Sequence, residues 1–137
     1  MAGVYLQDKS WEDDVAVRDY VPCGLARCSI WVEPQLAILY HTVIAATHAH
    51  SQPGENILVV PCDPEIYYLA DRPSAVPFFN NSDSFRGEEK TTRILSQLDA
   101  HRPKLVWINT EMTDNSPGMV RNNRLMEWIN THYTPAE

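Results

Sequence analysis

The chain has 137 residues, 44% of them hydrophobic, which is enough for one core of ordinary size and argues against two domains. Eighteen Asp and Glu against eleven Lys and Arg give a net charge of −7, which repels phosphate backbones and excludes nucleic acid and anionic membrane as partners. The longest apolar runs are strand-sized, far short of a membrane helix, so this chain is expected to be soluble and to make no membrane insertion.

Residues 1–27 read as an N-terminal arm carrying the acidic run Glu12-Asp13-Asp14, and 28–137 as a single α/β domain. Met1 to Asp8 lacks the basic start and apolar stretch of a secretory signal. Three cysteines are an odd number, and a chain with its own core does not need a disulfide framework. Cys23 and Cys28 could still pair across a hairpin, so the redox compartment stays open.

Cys28 to Val32 suits a strand, and Pro34 then opens a helix expected to reach His50, with Leu36, Leu39, Tyr40, Val43 and Thr47 on its packed face and His41 and His48 in solvent. The turn Gln52 to Asn56 leads into Ile57-Leu58-Val59-Val60, apolar on both faces and therefore an inner parallel strand. A short helix over Glu65 to Ala70 follows Pro61-Cys62-Asp63-Pro64, and a further strand is expected at Ala75 to Phe79. Glu88 to His101 reads as a helix packing Thr91, Ile94, Leu95 and Leu98. Leu105 to Ile108 is a second inner strand, and the last helix is expected from Pro117 to Tyr133, burying Leu125, Trp128 and Ile129. This alternation predicts a Rossmann-like layered α/β domain, a mainly parallel sheet covered by helices.

None of the five glycines follows a strand, so no phosphate-cradling turn and no nucleotide cofactor is expected. Cys62, just past a strand, is the most suggestive nucleophile. No histidine is adjacent to it and no phosphate loop follows, so a half-buried structural thiol outweighs a catalytic one. His48 and His50 are two residues apart, which points their rings in different directions, and no metal site is expected. The charged cluster beyond Val60 is the place to look for a ligand, because open parallel sheets bind beyond their strand ends. Its members are Cys62, Asp63, Glu65, Tyr67 and Arg72. The competing readings are that Asp63 caps the short helix and that Arg72 pairs at the surface with Asp71 or Glu65. Tyr67, Tyr68, Phe78 and Phe79 offer rings to a sugar, though at least half are expected in the core.

From Gln52 onward the order is Gln-Pro-Gly-Glu-Asn, Ile-Leu-Val-Val-Pro, then Tyr67-Tyr68-Leu69-Ala70-Asp71-Arg72-Pro73, Arg102-Pro103-Lys104-Leu105-Val106-Trp107-Ile108, and a last helix ending in His132-Tyr133. This pattern resembles the soluble C-terminal region of polytopic membrane glycosyltransferases, such as the dolichyl-phosphate-mannose protein mannosyltransferases and the lipid A aminoarabinose transferases. The resemblance implies a region on the outer side of the membrane. The family's acidic catalytic residues and its lipid-linked donor belong to the membrane part, so no catalytic residue carries over.

The expected function is a non-catalytic accessory or recognition domain for a carbohydrate or small-molecule ligand. The alternative is a free-standing small-molecule-binding protein or small enzyme using the cluster from Cys62 to Arg72. The chain is expected to be cytoplasmic if free-standing and extracytoplasmic if part of a membrane transferase. The resemblance implies a further strand past the last helix, so two readings of the sheet edge stay open: pairing with a second copy in a homodimer, or cover by the N-terminal arm with Val4-Tyr5-Leu6.

Overall fold

A computed structural model describes residues 19–61, 63–77, 87–110 and 123–136. The chain divides into two compact units, Met1–His41 and Thr42–Glu137. In the first, β1 (Val21–Pro22) pairs antiparallel with β2 (Trp31–Val32). The expected strand from Cys28 is thus only two residues long. The hairpin closes in nested steps, the Cys23 N–H donating to the Ile30 carbonyl (2.9 Å) and the Cys28 N–H to the Leu25 carbonyl (3.0 Å). A disulfide joins Cys23 and Cys28, with their Cα atoms 5.8 Å apart. Sequence left this pairing open, and the hairpin decides it.

Gly24, beside that bridge, has φ +72°, where a side chain is strained. A Cβ there would also come within 3.3 Å of the His41 Nε2, which sits 2.7 Å from the Cys23 carbonyl. Glycine therefore supplies both the turn and the room for the imidazole. Among the described residues, Cys23, Val32 and Ala37 form the buried core of this unit, flanked by half-buried Leu25, Leu36 and Tyr40.

The division falls within α1 (Pro34–His50), whose bounds agree with the sequence reading. Its packed face agrees at Val43 and Thr47, which are buried, and at Leu36 and Tyr40, which are half-buried, but not at Leu39. Ala37, Val43, Ile44 and Thr47 are buried, whereas Leu39 is 52% and Ile38 68% exposed. The helix is apolar on almost every side, so periodicity alone could not choose between Leu39 and Ile44.

In the second unit β3 (Ile57–Val60) and β4 (Leu105–Ile108) run parallel in the register Ile57 with Leu105 to Val60 with Ile108. Alternate backbone groups of β3 face opposite neighbours. Toward β4 the ladder is extended by Lys104 N–H to the Asn56 carbonyl and Asn109 N–H to the Val60 carbonyl. On the other side Ile57 N–H donates to the Pro73 carbonyl, Ala75 N–H returns to the Ile57 carbonyl, and Val59 N–H donates to the Tyr67 hydroxyl at 2.8 Å. Leu58 and Val60 share one core with Ala75, Val76, Ile94, Leu98, Leu125, Trp128 and Ile129. That core binds α3 (Glu88–Ala100) to α4 (Asn123–His132), and the Trp128 indole N–H donates to Asp99 (2.7 Å).

This arrangement corrects the predicted fold class. The described residues hold two two-stranded sheets, one antiparallel and one parallel, in a small mixed α/β fold, not a Rossmann-like layered domain. β3 is bonded on both sides as expected of an inner strand. β4 is half-buried throughout and, among the described residues, pairs with β3 alone, where an inner strand would pair on both sides. At 74–77 the expected strand shrinks to a single parallel bridge between Ser74 and Ile57, followed by bends, and its remainder from Phe78 lies outside the described residues. The start of the last helix at Pro117 also lies outside them. No described helix is long and apolar enough to cross a membrane.

Candidate functional site

The strand-end cluster is where the sequence placed it, but most of it is occupied with holding the fold. α2 (Glu65–Ala70) follows β3 across the proline stops and ends at Asp71, which takes the left-handed conformation (φ 53°, ψ 50°). That turn carries Arg72 inward. Its side chain is 7% exposed and donates from Nε to the Ser51 hydroxyl (2.9 Å), from Nη1 to the Ala70 and Asp71 carbonyls (3.1 and 3.0 Å), and from Nη2 to the Ser51 carbonyl (2.9 Å). The surface pairing weighed against a ligand role for Arg72 is therefore replaced by a buried guanidinium that gives four hydrogen bonds to neutral acceptors. Ser51 in turn donates to the Thr47 carbonyl, and the Trp107 indole N–H donates to the Thr47 hydroxyl (2.9 Å). The network thus runs from β4 through α1 to the end of α2.

Tyr67 is also internal. Its hydroxyl accepts the Val59 N–H and is hydrogen-bonded to Ser74, and burial pushes its pKa above the usual tyrosine value, with those two bonds opposing the shift. Asp63 does not cap α2 through its side chain. Its backbone carbonyl accepts the Ile66 N–H (3.1 Å), while its carboxylate accepts the Asn109 amide at 3.1 Å, joining the segments that follow β3 and β4. Glu65 opens α2, half-buried. Tyr68 is 60% exposed. Cys62, Phe78 and Phe79 lie outside the described residues.

The two helix histidines read as solvated are both tied to backbone. His41 reaches the Cys23 carbonyl, and His48 the Ala70 carbonyl at 2.9 Å. A carbonyl only accepts, so Nε2 carries the proton in each ring. No group of three His, Cys, Asp or Glu able to hold a metal occurs among the described residues.

A second place in this unit has the opposite character. An open groove of about 510 Å³ lies along the C-terminal half of α3, with Ala75 and Pro77 on one wall and Arg93, Ser96, Gln97, Ala100 and His101 on the other. The Gln97 side-chain carbonyl oxygen is buried and meets no donor among the described residues. The Arg93 and His101 side chains make no hydrogen bond or ion pair among the described residues either. Sequence reasoning passed over these residues because they lie on the polar side of an ordinary amphipathic helix.

No family model, no curated protein and no solved structure matches this chain.

Proposed function

We propose that this chain is a non-catalytic recognition domain that takes a small polar ligand in the groove along α3. One contrast carries the reading: Arg72, Tyr67 and Asp63 are committed to internal bonds, whereas Arg93 and His101 line an open groove with their side chains uncommitted among the described residues. Groove volume falls in the range of small-ligand sites. The Cys23–Cys28 disulfide agrees with oxidising surroundings, as on the outer side of a membrane where the resembled transferase regions lie. The alternative, a free-standing binder using the cluster from Cys62 to Arg72, has less support because the Arg72 guanidinium is buried and four of its five N–H groups are already engaged.

A thermal-shift screen of the purified chain against neutral sugars, sugar acids, amino acids and short peptides tests the proposal. At least one class is expected to raise Tm. Failure of every class would overturn the recognition reading, and turnover of a polyprenyl-phosphate sugar above a boiled control would overturn its non-catalytic part.

A further inference from the structure

We propose that the outer edge of β4 is a self-association surface, on which two copies of this chain pair antiparallel across a two-fold axis centred on Val106. Which backbone groups face that edge follows from the register. β3 turns its Ile57 and Val59 groups away from β4, since they bond Pro73, Ala75 and the Tyr67 hydroxyl, so Leu58 and Val60 face β4. In a parallel pair, one of two residues directly opposite bonds across the pair and the other points away from it. Leu58 lies opposite Val106 and Val60 opposite Ile108, so the Val106 and Ile108 N–H and C=O groups point out of the far edge of β4. No strand among the described residues takes them up, and β4 is half-buried along its whole length.

A row of unpaired backbone groups is a template for another strand, and the charges around β4 select a second copy. At a net charge of −7 two copies repel each other at long range, yet Leu105-Val106-Trp107-Ile108 carries no charge. The strand also has a basic end and an acidic end. Arg102-Pro103-Lys104 leads into it, and beyond Ile108 the Asn109 amide bonds the Asp63 carboxylate at 3.1 Å. A two-fold axis reverses one strand against the other, so the basic end of each copy meets the acidic end of its partner. In this register the Val106 N–H and C=O exchange two bonds with their counterparts, and Ile108 lies opposite Lys104 of the other copy, which brings that lysine beside the Asn109–Asp63 pair. Lysine on an edge can block pairing, but Lys104 precedes the strand and leaves Val106 clear. The Val106 and Ile108 side chains pack on the core of the second unit, which holds the edge in an extended form. Four residues a side cover far less than the about 800 Å² that a tight dimer buries on each partner, so the association is weak, with Kd on the order of 0.1 mM.

The test combines light scattering with amide hydrogen exchange on the purified chain at about 20 μM and about 1 mM, concentrations that bracket this Kd. A reversible dimer is expected, dominant at the higher concentration and mostly dissociated at the lower. Exchange of the Val106 and Ile108 amides should slow about fourfold at the higher concentration, in proportion to the loss of monomer. The Asn109 amide, which bonds Val60 within the chain, should exchange alike at both. Lys104→Glu, at an exposed position and so expected to keep Tm, sets a second carboxylate near Asp63 of the other copy and should weaken the dimer about tenfold. A monomer at the higher concentration overturns the proposal. So does a dimer that leaves the Val106 and Ile108 amides unchanged, or one that Lys104→Glu leaves as tight, since it uses another surface. Equal protection of the two amides in monomer and dimer would show that another part of this chain covers the edge, which also overturns it.

Discussion

Arg72 is a full charge inside the second unit, and the side chains and carbonyls around it were chosen by geometry rather than by opposite charge. Four hydrogen bonds fan out from one planar group to Ser51, Ala70 and Asp71. Lysine keeps the charge but has a single tetrahedral head, which cannot reach both the Ser51 and the Ala70 acceptors. Arg72→Lys is therefore expected to lose about 2 to 3 kcal/mol, because at least two buried acceptors go unmet. Urea denaturation reads this directly, and an unchanged midpoint would mean that the acceptors find other donors. Tyr67 behaves differently because its charge is avoided. Burial raises its pKa above 10.0 in the folded chain, and burial does the same to Tyr133, against an opposing effect of the Arg102 charge. Above about pH 10 the unfolded chain then binds fewer protons than the folded one, so stability falls as pH rises. Below that value the stabilisation is fully present. Comparison of Tm at about pH 8 and about pH 10.5 should show a drop in the parent chain that is smaller in Tyr67→Phe. The variant starts about 1 kcal/mol lower, since the Val59 N–H loses its acceptor.

At the scale of elements, what the sequence made legible was whatever side-chain burial and proline punctuation encode. The ranges of α1, β3, β4 and α2 followed from apolar runs bounded by Pro34, Pro61, Pro64 and Pro73. Sheet size did not follow. A continuous apolar run reports that both faces of a strand are covered, but the in-plane neighbour is a matter of backbone hydrogen bonds, which leave no mark on side-chain type. Hence β4 read as an inner strand although β3 is its one partner among the described residues, and Tyr67 rather than a strand receives the Val59 N–H. The direction of Arg72 was not legible for a related reason. Charge clustering located the turn after β3 but could not say that Arg72 points inward, which depends on the left-handed Asp71. α1 gives a direct check of which face packs. Ile44→Ala is expected to cost about 2 to 4 kcal/mol, since Ile44 is 4% exposed. Leu39→Ser, at 52% exposure, should stay within about 0.5 kcal/mol. Equal losses by thermal denaturation would mean that Leu39 is covered after all.

At the scale of the whole molecule, the described residues of the two units bury cores of unequal size. The second unit buries Leu58, Val60, Ile94, Leu98 and Leu125 in one cluster at 2% exposure or less, and its central strand is bonded on both sides. Among the described residues, the first unit's buried core is Cys23, Val32 and Ala37. A core that small contributes little apolar burial, and a covalent link compensates by shrinking the set of unfolded conformations. The cysteines are five residues apart, and closing so short a loop is worth about 2 kcal/mol of chain entropy. Local opening draws on the least stable part of a structure first. Reduction of the disulfide is therefore expected to speed hydrogen exchange of the Cys23 and Cys28 amides, whose hydrogen bonds to Ile30 and Leu25 close the hairpin, by about thirtyfold. The Leu58 and Val60 amides, held in the second unit, should keep their protection. Exchange measured with and without reductant decides the matter: a matching loss of protection in β3 would show that the bridge supports the molecule as one cooperative body, and no change at Cys23 would show that the hairpin holds without it.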